Sequence, residues 1–287
     1  MPRTFFDYGD QKESERIVRE TWEEFREKVS KDSFLISDIE SAKGITFLKV
    51  FDDIFNHQID QNLLVRSLSD YSGYKMMRGS ILKDGDSDFT YKRLEPISRY
   101  MKSENRFSPP GVEWMYLSLA KKCGNAQCGV IKELRAKKGD NILLGKYRIP
   151  KKHEKRKIID LTIAKSITKD SIIAEHDRSV KQSINNAVYE FIREGNFNKS
   201  SVENEKALIK CVVMLYAHEI DEQLFVPVDG LDKQYMYKPF QCISQYFLQK
   251  SYDGIVYSST VCSESKNIVL FDKTIPLPMH NPEKIMV

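Results

Sequence analysis

Residues 105–135 read NRFSPPGVEWMYLSLAKKCGNAQCGVIKELR, and the order of their parts decides the fold. Two prolines and Gly111 make a stiff turn. Met115 to Ala120 then reads as a short strand. The segment from Asn125, with Val130, Ile131 and Leu134 on one side, reads as a helix stopped by Gly139. A single carboxylate, Glu133, borders its apolar face. Outward from this stretch, strands and helices do not alternate regularly. YKMMRGSI (74–81) reads as a strand and DGDSD (84–88) as a turn-rich loop. NILLGKYRI (141–149) and KIIDLTI (157–163) read as strands around the basic loop PKKHEKRK (150–157), and YDGIVYSS (252–259) and NIVLFD (267–272) as final strands. This mixed order predicts an α+β domain and not a doubly wound sheet.

Helices flank that core. Val18, Trp22, Phe25 and Val29 recur at spacings of four, three and four, which predicts an amphipathic helix over about 11–32, and a second follows around 45–54. Residues 1–70 are thus expected to form an amino-terminal helical module ahead of a main domain over 71–287. A long helical insertion is expected at about 165–250. Within it, Val180, Ile184, Ala187/Val188 and Phe191 make one stripe, and Leu208, Val212, Leu215/Tyr216 and Ile220 a second. GNFNKSSVE (195–203) is the loop between them, and 240–250 is a further helix.

Composition narrows the function classes. The formal net charge of +4 is too small to argue for a nucleic-acid partner. The first fifteen residues turn acidic and polar without a basic and then apolar segment, so no signal peptide is expected, and no apolar run reaches membrane-spanning length. The five cysteines show no CxxC spacing, which argues against a zinc ribbon or a disulfide framework and for a cytoplasmic protein. Asp84, Asp86, Asp88 and Glu95 imitate part of a calcium loop, but Phe89 stands where the loop needs glycine. His218 and Glu222 share a helix face with no third ligand in view, so no metal is expected. Lys151 to Lys157 reads as a solvated hairpin loop, because no aromatic residue interleaves its charges.

Five residues carry chemistry if they converge. Arg78 lies at the end of an apolar strand, before Gly79, where a guanidinium can hold a pyrophosphate with a planar fork of donors. Arg106 sits on the stiff Pro-Gly loop, a platform for an anion-binding arginine. Tyr116 alternates with Ser118 on one strand face and offers a ring for stacking. Glu133 can bind a ribose hydroxyl and stabilise a developing oxocarbenium ion. Ser259, or its neighbour Ser258, ends a strand where a hydroxyl can meet a phosphate or ribose; the absence of a G-x-S-x-G elbow argues against acyl transfer. Each also has an ordinary reading: a surface arginine, a polar turn residue, a core tyrosine, a glutamate paired with Lys137, a strand-end serine.

In this order, MMRGS, NRFSPPGVEWMYLSLAKK, GVIKELR and DGIVYSS…NIVLF resemble the RES-domain family, named for arginine, glutamate and serine positions. Arg78 matches the family arginine, Glu133 its glutamate and Ser259 its serine, while Arg106 and Tyr116 fall on additional NAD-contacting positions. The helix start CGNAQCG departs from the family, which often has Thr-Ala there. The resemblance implies an ADP-ribosyltransferase-like mixed β core. It further implies a toxin-like, defence-type enzyme that cleaves the nicotinamide–ribose bond of NAD by hydrolysis or phosphorolysis. NAD is then substrate, phosphate a candidate co-substrate, and an Xre-type antitoxin a candidate partner. Transfer of ADP-ribose to a protein or nucleic acid is the alternative within the same chemistry. A non-catalytic nucleic-acid-binding or protein-interaction module is the alternative from another class. Homo-oligomerisation through the amino-terminal helix stays open.

Overall fold

The computed structural model describes residues 11–31, 34–57, 63–166, 213, 215–226, 228 and 232–287. By contacts, the chain divides into two compact units, one of Met1–Leu63 with Ile163–Val226 and one of Leu64–Thr162 with Pro227–Val287. The stripe over 180–191, the loop over 195–203, and Leu208 and Val212 lie outside the described residues.

In the first unit, helix α1 (Gln11–Val29) buries the expected Val18, Trp22, Phe25 and Val29. Helix α2 (Ile39–Lys43) is capped by Asp38, which accepts a hydrogen bond from the Ser41 amide at 3.1 Å. Helix α3 (Thr46–His57) contributes Phe47, Leu48 and Phe51. Trp22 meets Phe47 edge-on at 5.0 Å between centroids, and Phe47 meets Tyr216 at 4.8 Å. These aromatic contacts, with Ile220 and Leu224 of the helical stretch 215–224, form the core of this unit.

The second unit is built on one eight-stranded sheet: β1 (Val65–Ser67), β2 (Lys75–Leu82), β3 (Met115–Ala120), β4 (Asn141–Arg148), β5 (Lys157–Asp160), β6 (Gly254–Ser258), β7 (Lys266–Leu270) and β8 (Leu277–Met286). The spatial order is β1-β5-β6-β7-β3-β2-β4-β8, and every pair is antiparallel except β5 with β6. The protein is therefore a mixed α+β fold. Alternate residues of the strands face two apolar clusters. Met76, Leu117, Leu119, Val256 and Ile268 belong to one; Met77, Ala120 and Leu144 pack with Ala126 and Val130 of helix α4 (Cys123–Glu133) in the other.

Glycines set how closely α4 lies on the sheet. A Cβ on Gly79 would sit 2.6 Å from Val130 Cγ1, and one on Gly129 would sit 2.3 Å from Ser118 Oγ and 2.6 Å from Ser265 Oγ. What Gly79 admits is therefore the helix. Gly129→Val should cost about 1–3 kcal/mol through overpacking, read as a lowered melting temperature. An unchanged melting temperature would contradict this packing.

Several elements differ from expectation. Helix α4 ends at Glu133, six residues before Gly139. The Arg135 amide donates to the Lys132 carbonyl at 3.0 Å and the Ala136 amide to Ile131 at 3.2 Å, with Arg135 at φ 52°, a left-handed helix stop made without glycine. The basic segment 150–157 is not a hairpin loop. It leaves β4, which pairs with β2 and β8, and enters β5, which pairs with β1 and β6. There Arg156 pairs with Asp253 at 2.6 Å, and Lys151, Lys152 and Lys155 are exposed. Strand β5 stops at Asp160, where a 3-10 turn begins. Helix α5 (Lys233–Gln249) starts seven residues earlier than expected and carries Pro239 inside it. Strand β8 has no apolar alternation because, among the described residues, it is an edge strand paired only with β4, and it is largely exposed. Pro278 and Pro282 keep its outer side from templating another strand. Asp86 pairs with Arg93 at 2.6 Å and Asp88 accepts from Thr90, so this acidic loop is tied up locally. Among the described residues, no helix is long and apolar enough to cross a membrane.

Candidate functional site

Strands β2 and β3 pair only from Lys75↔Ala120 to Met77↔Ser118; beyond that register β2 continues to Leu82 against β4 alone. The strands part there, and a cavity of about 470 Å³ opens, lined by residues of both. This size lies within the ~300–1,000 Å³ of small-ligand sites.

Arg78 stands at this notch, in the middle of β2 and not at its end. Its guanidinium donates to the Tyr116 carbonyl at 3.1 Å, and among the described residues it has no carboxylate partner. Burial lowers its pKa from the usual arginine range, opposed in part by Tyr147 and Tyr116. A guanidinium has five donors and stays charged at working pH, so one carbonyl leaves most of its bonding capacity unused. Partly desolvating a cation that has no counter-ion among the described residues costs free energy that an anion at the site would recover.

The Pro-Gly loop is held against α5. Gln241 donates to Glu104 Oε2 at 2.6 Å and to the Asn105 carbonyl at 3.0 Å, and Ser244 donates to the Phe107 carbonyl at 2.6 Å. Phe107 is buried between Phe240 and Tyr257. Arg106 is thereby carried to the cavity wall, its guanidinium 5.6 Å from the centroid of the Tyr237 ring. The Tyr116 hydroxyl shares a 2.9 Å hydrogen bond with Ser108, which fixes the ring at the cavity; burial raises the Tyr116 pKa.

Glu133 is the last residue of α4. That end of a helix carries partial negative charge, which disfavours a carboxylate by ~0.3–1 kcal/mol. Two donors from other strands compensate. Ser259 Oγ donates to Glu133 Oε1 at 3.0 Å and Asn267 Nδ2 donates to the same oxygen at 2.6 Å. The expected alternative of pairing with Lys137 is not what the carboxylate does. Both donors use Oε1, so Oε2 takes no hydrogen bond from the described residues. Tyr257 packs beside this group, and burial first, then the charge of Glu133, raises its pKa well above the ordinary tyrosine value.

Arg78, Arg106, Tyr116 and Glu133 thus line one cavity. Ser259 does not line it: it is buried behind Glu133, where its oxygen also accepts from the Cys262 amide at 3.1 Å. Asn267, Tyr257, Tyr237 and Lys233 also line the cavity and were not singled out from sequence. Only Asn267 leaves a trace there, as a buried amide on an otherwise apolar strand. Among the described residues, no three His, Cys, Asp or Glu side chains are grouped to hold a metal ion. His218 meets Glu222 at 3.4 Å as their helical spacing requires.

No curated protein and no solved structure is significantly similar to the chain. A family model does match; its span takes in Ser259 and Asn267, whereas Arg78, Arg106, Tyr116 and Glu133 lie outside it and join them through the fold. Residues 182–285 match the RES domain, the family that the sequence motifs resemble.

Proposed function

We propose that the unit of 64–162 and 227–287 is an ADP-ribosyltransferase-like core that cleaves the nicotinamide–ribose bond of NAD. The observation that carries this reading is the pairing, in one cavity, of a half-buried guanidinium that has no carboxylate partner among the described residues with a carboxylate that they hold by one oxygen. The RES family is associated with NAD-acting, toxin-like enzymes, which supports NAD as the substrate. Arg78, with Arg106, neutralises the pyrophosphate. Tyr116 and Tyr237 offer ring faces for stacking. Glu133, fixed by Ser259 and Asn267, turns its free oxygen to the ribose and stabilises positive charge at C1′ as the bond breaks.

The leaving group departs as neutral nicotinamide from a pyridinium, so no acid is needed to protonate it. The acceptor then adds to C1′ from water, giving ADP-ribose, or from phosphate, giving its 1″-phosphate. Product mass with and without phosphate decides between them. Hydrolysis predicts one product under both conditions, and phosphorolysis a phosphate-dependent product heavier by the phosphate group. ADP-ribose attached to protein or nucleic acid would instead assign transfer, and NAD recovered intact in every arm would overturn the reading. An antitoxin partner, expected from the RES family, would act by covering this cavity.

A further inference from the structure

Behind Glu133 lies a pair of thiols that the proposed reaction does not use. Cys128, on α4, and Cys262, on the turn after β6, stand 3.7 Å apart, sulfur to sulfur, in hydrogen-bond contact. Cys128 is partly exposed, and buried Cys262 is flanked by exposed Thr260, Val261, Ser263 and Glu264. Burial raises the Cys262 thiol pKa, but its polar contacts with Ser265, Cys128 and the Glu264 backbone outweigh it and bring the value below that of an ordinary thiol. Burial and the contact with Cys262 raise the Cys128 thiol pKa, and Lys132 opposes them in part; Lys132 also favours the Cys262 thiolate.

We propose that Cys128 and Cys262 are a redox modification site, forming a reversible disulfide that slows the reaction at Glu133. The effect on rate rests on the function proposed above; the disulfide itself does not. With a low-molecular-weight disulfide as oxidant, the more accessible Cys128 thiolate attacks one of its sulfurs, and the oxidant's S–S bond breaks to release one thiol. The Cys262 thiolate then attacks the Cys128 sulfur of the mixed disulfide and releases the second thiol. The two protons lost by the cysteines are taken up by the two thiols released. Two electrons pass from the protein to the oxidant.

A disulfide needs its sulfurs at about 2.05 Å, so they must close by about 1.6 Å from their present 3.7 Å. Helix α4 is packed closely on the sheet at Gly79 and Gly129, whereas Cys262 lies on a turn with exposed neighbours. It is the turn that moves. The Cys262 amide donates to Ser259 Oγ at 3.1 Å, and Ser259 donates to Glu133 at 3.0 Å, so displacing Cys262 draws Ser259 away from the carboxylate.

The experiment treats the full chain with oxidised glutathione and then blocks remaining thiols with an alkylating agent. Digestion should give a peptide joining Cys128 to Cys262, two hydrogens lighter than its reduced parts, and dithiothreitol should restore both thiols. Exposed Cys123 should instead be alkylated or carry glutathione, and Cys123→Ser should leave the bridge intact. Cys128 and Cys262 both recovered without a bridge overturns the proposal. For the consequence, nicotinamide release from NAD by the oxidised protein should fall several-fold and return on reduction. Cys128→Ser should be insensitive to the oxidant. Equal rates in the bridged and reduced forms overturn the switch. No release in either form would sink the proposed function, while the peptide map still decides the disulfide.

Discussion

Replacing Glu133 with glutamine should lower kcat for NAD cleavage by about 100- to 1,000-fold while leaving NAD affinity within a few-fold of wild type. The carboxylate acts on charge that develops only as the glycosidic bond breaks, so its loss falls on the transition state and not on the bound substrate. Glutamine keeps the oxygen that Ser259 and Asn267 hold, so the side chain stays in place. Stability should not fall, because removing negative charge from the carboxyl end of α4 relieves an unfavourable dipole interaction. Rates at saturating NAD, paired with calorimetric titration of the variant, check both halves. A variant that loses binding and keeps kcat would assign Glu133 to substrate binding instead.

Arg78→Met should do the opposite. A hydrogen-bonded contact to a charged group contributes about 1.5–3 kcal/mol, so NAD affinity should fall about 10- to 150-fold. The fold should tolerate the change or gain from it, since methionine fills similar space without desolvating a cation that has no carboxylate partner among the described residues. Thermal unfolding with and without NAD reads both effects, because a ligand raises the melting temperature only by binding the native state. The apo melting temperature should hold or rise while the NAD-induced shift at a given NAD concentration shrinks. A large fall in the apo value would make Arg78 a structural residue.

Much of the candidate site was legible because its residues sit in short segments with strong local signals. MYLSLA alternates cleanly and is strand β3, residue for residue. The α1 stripe is buried as its spacing requires. The meeting of Glu133 with Ser259 joins residues 126 positions apart, which no local pattern encodes; only the family order pointed to it. Other features left no such signal. Strand β8 faces solvent along most of its length, so it carries no hydrophobic period to read. The stop of α4 uses arginine in a conformation that normally announces itself by glycine. Asn267 shows in the sequence as no more than the polar start of an apolar strand, and its amide meets Glu133 through the fold. The notch between β2 and β3 depends on which strands pair and where they part, a property of the sheet and not of either segment.

The most direct test is a time course of free nicotinamide released from NAD by purified protein, wild type beside Glu133→Gln. Wild type should release nicotinamide until NAD is consumed and the variant almost none, although both are stabilised by NAD. NAD that raises the melting temperature of wild type yet is recovered intact, with no nicotinamide formed, would contradict it.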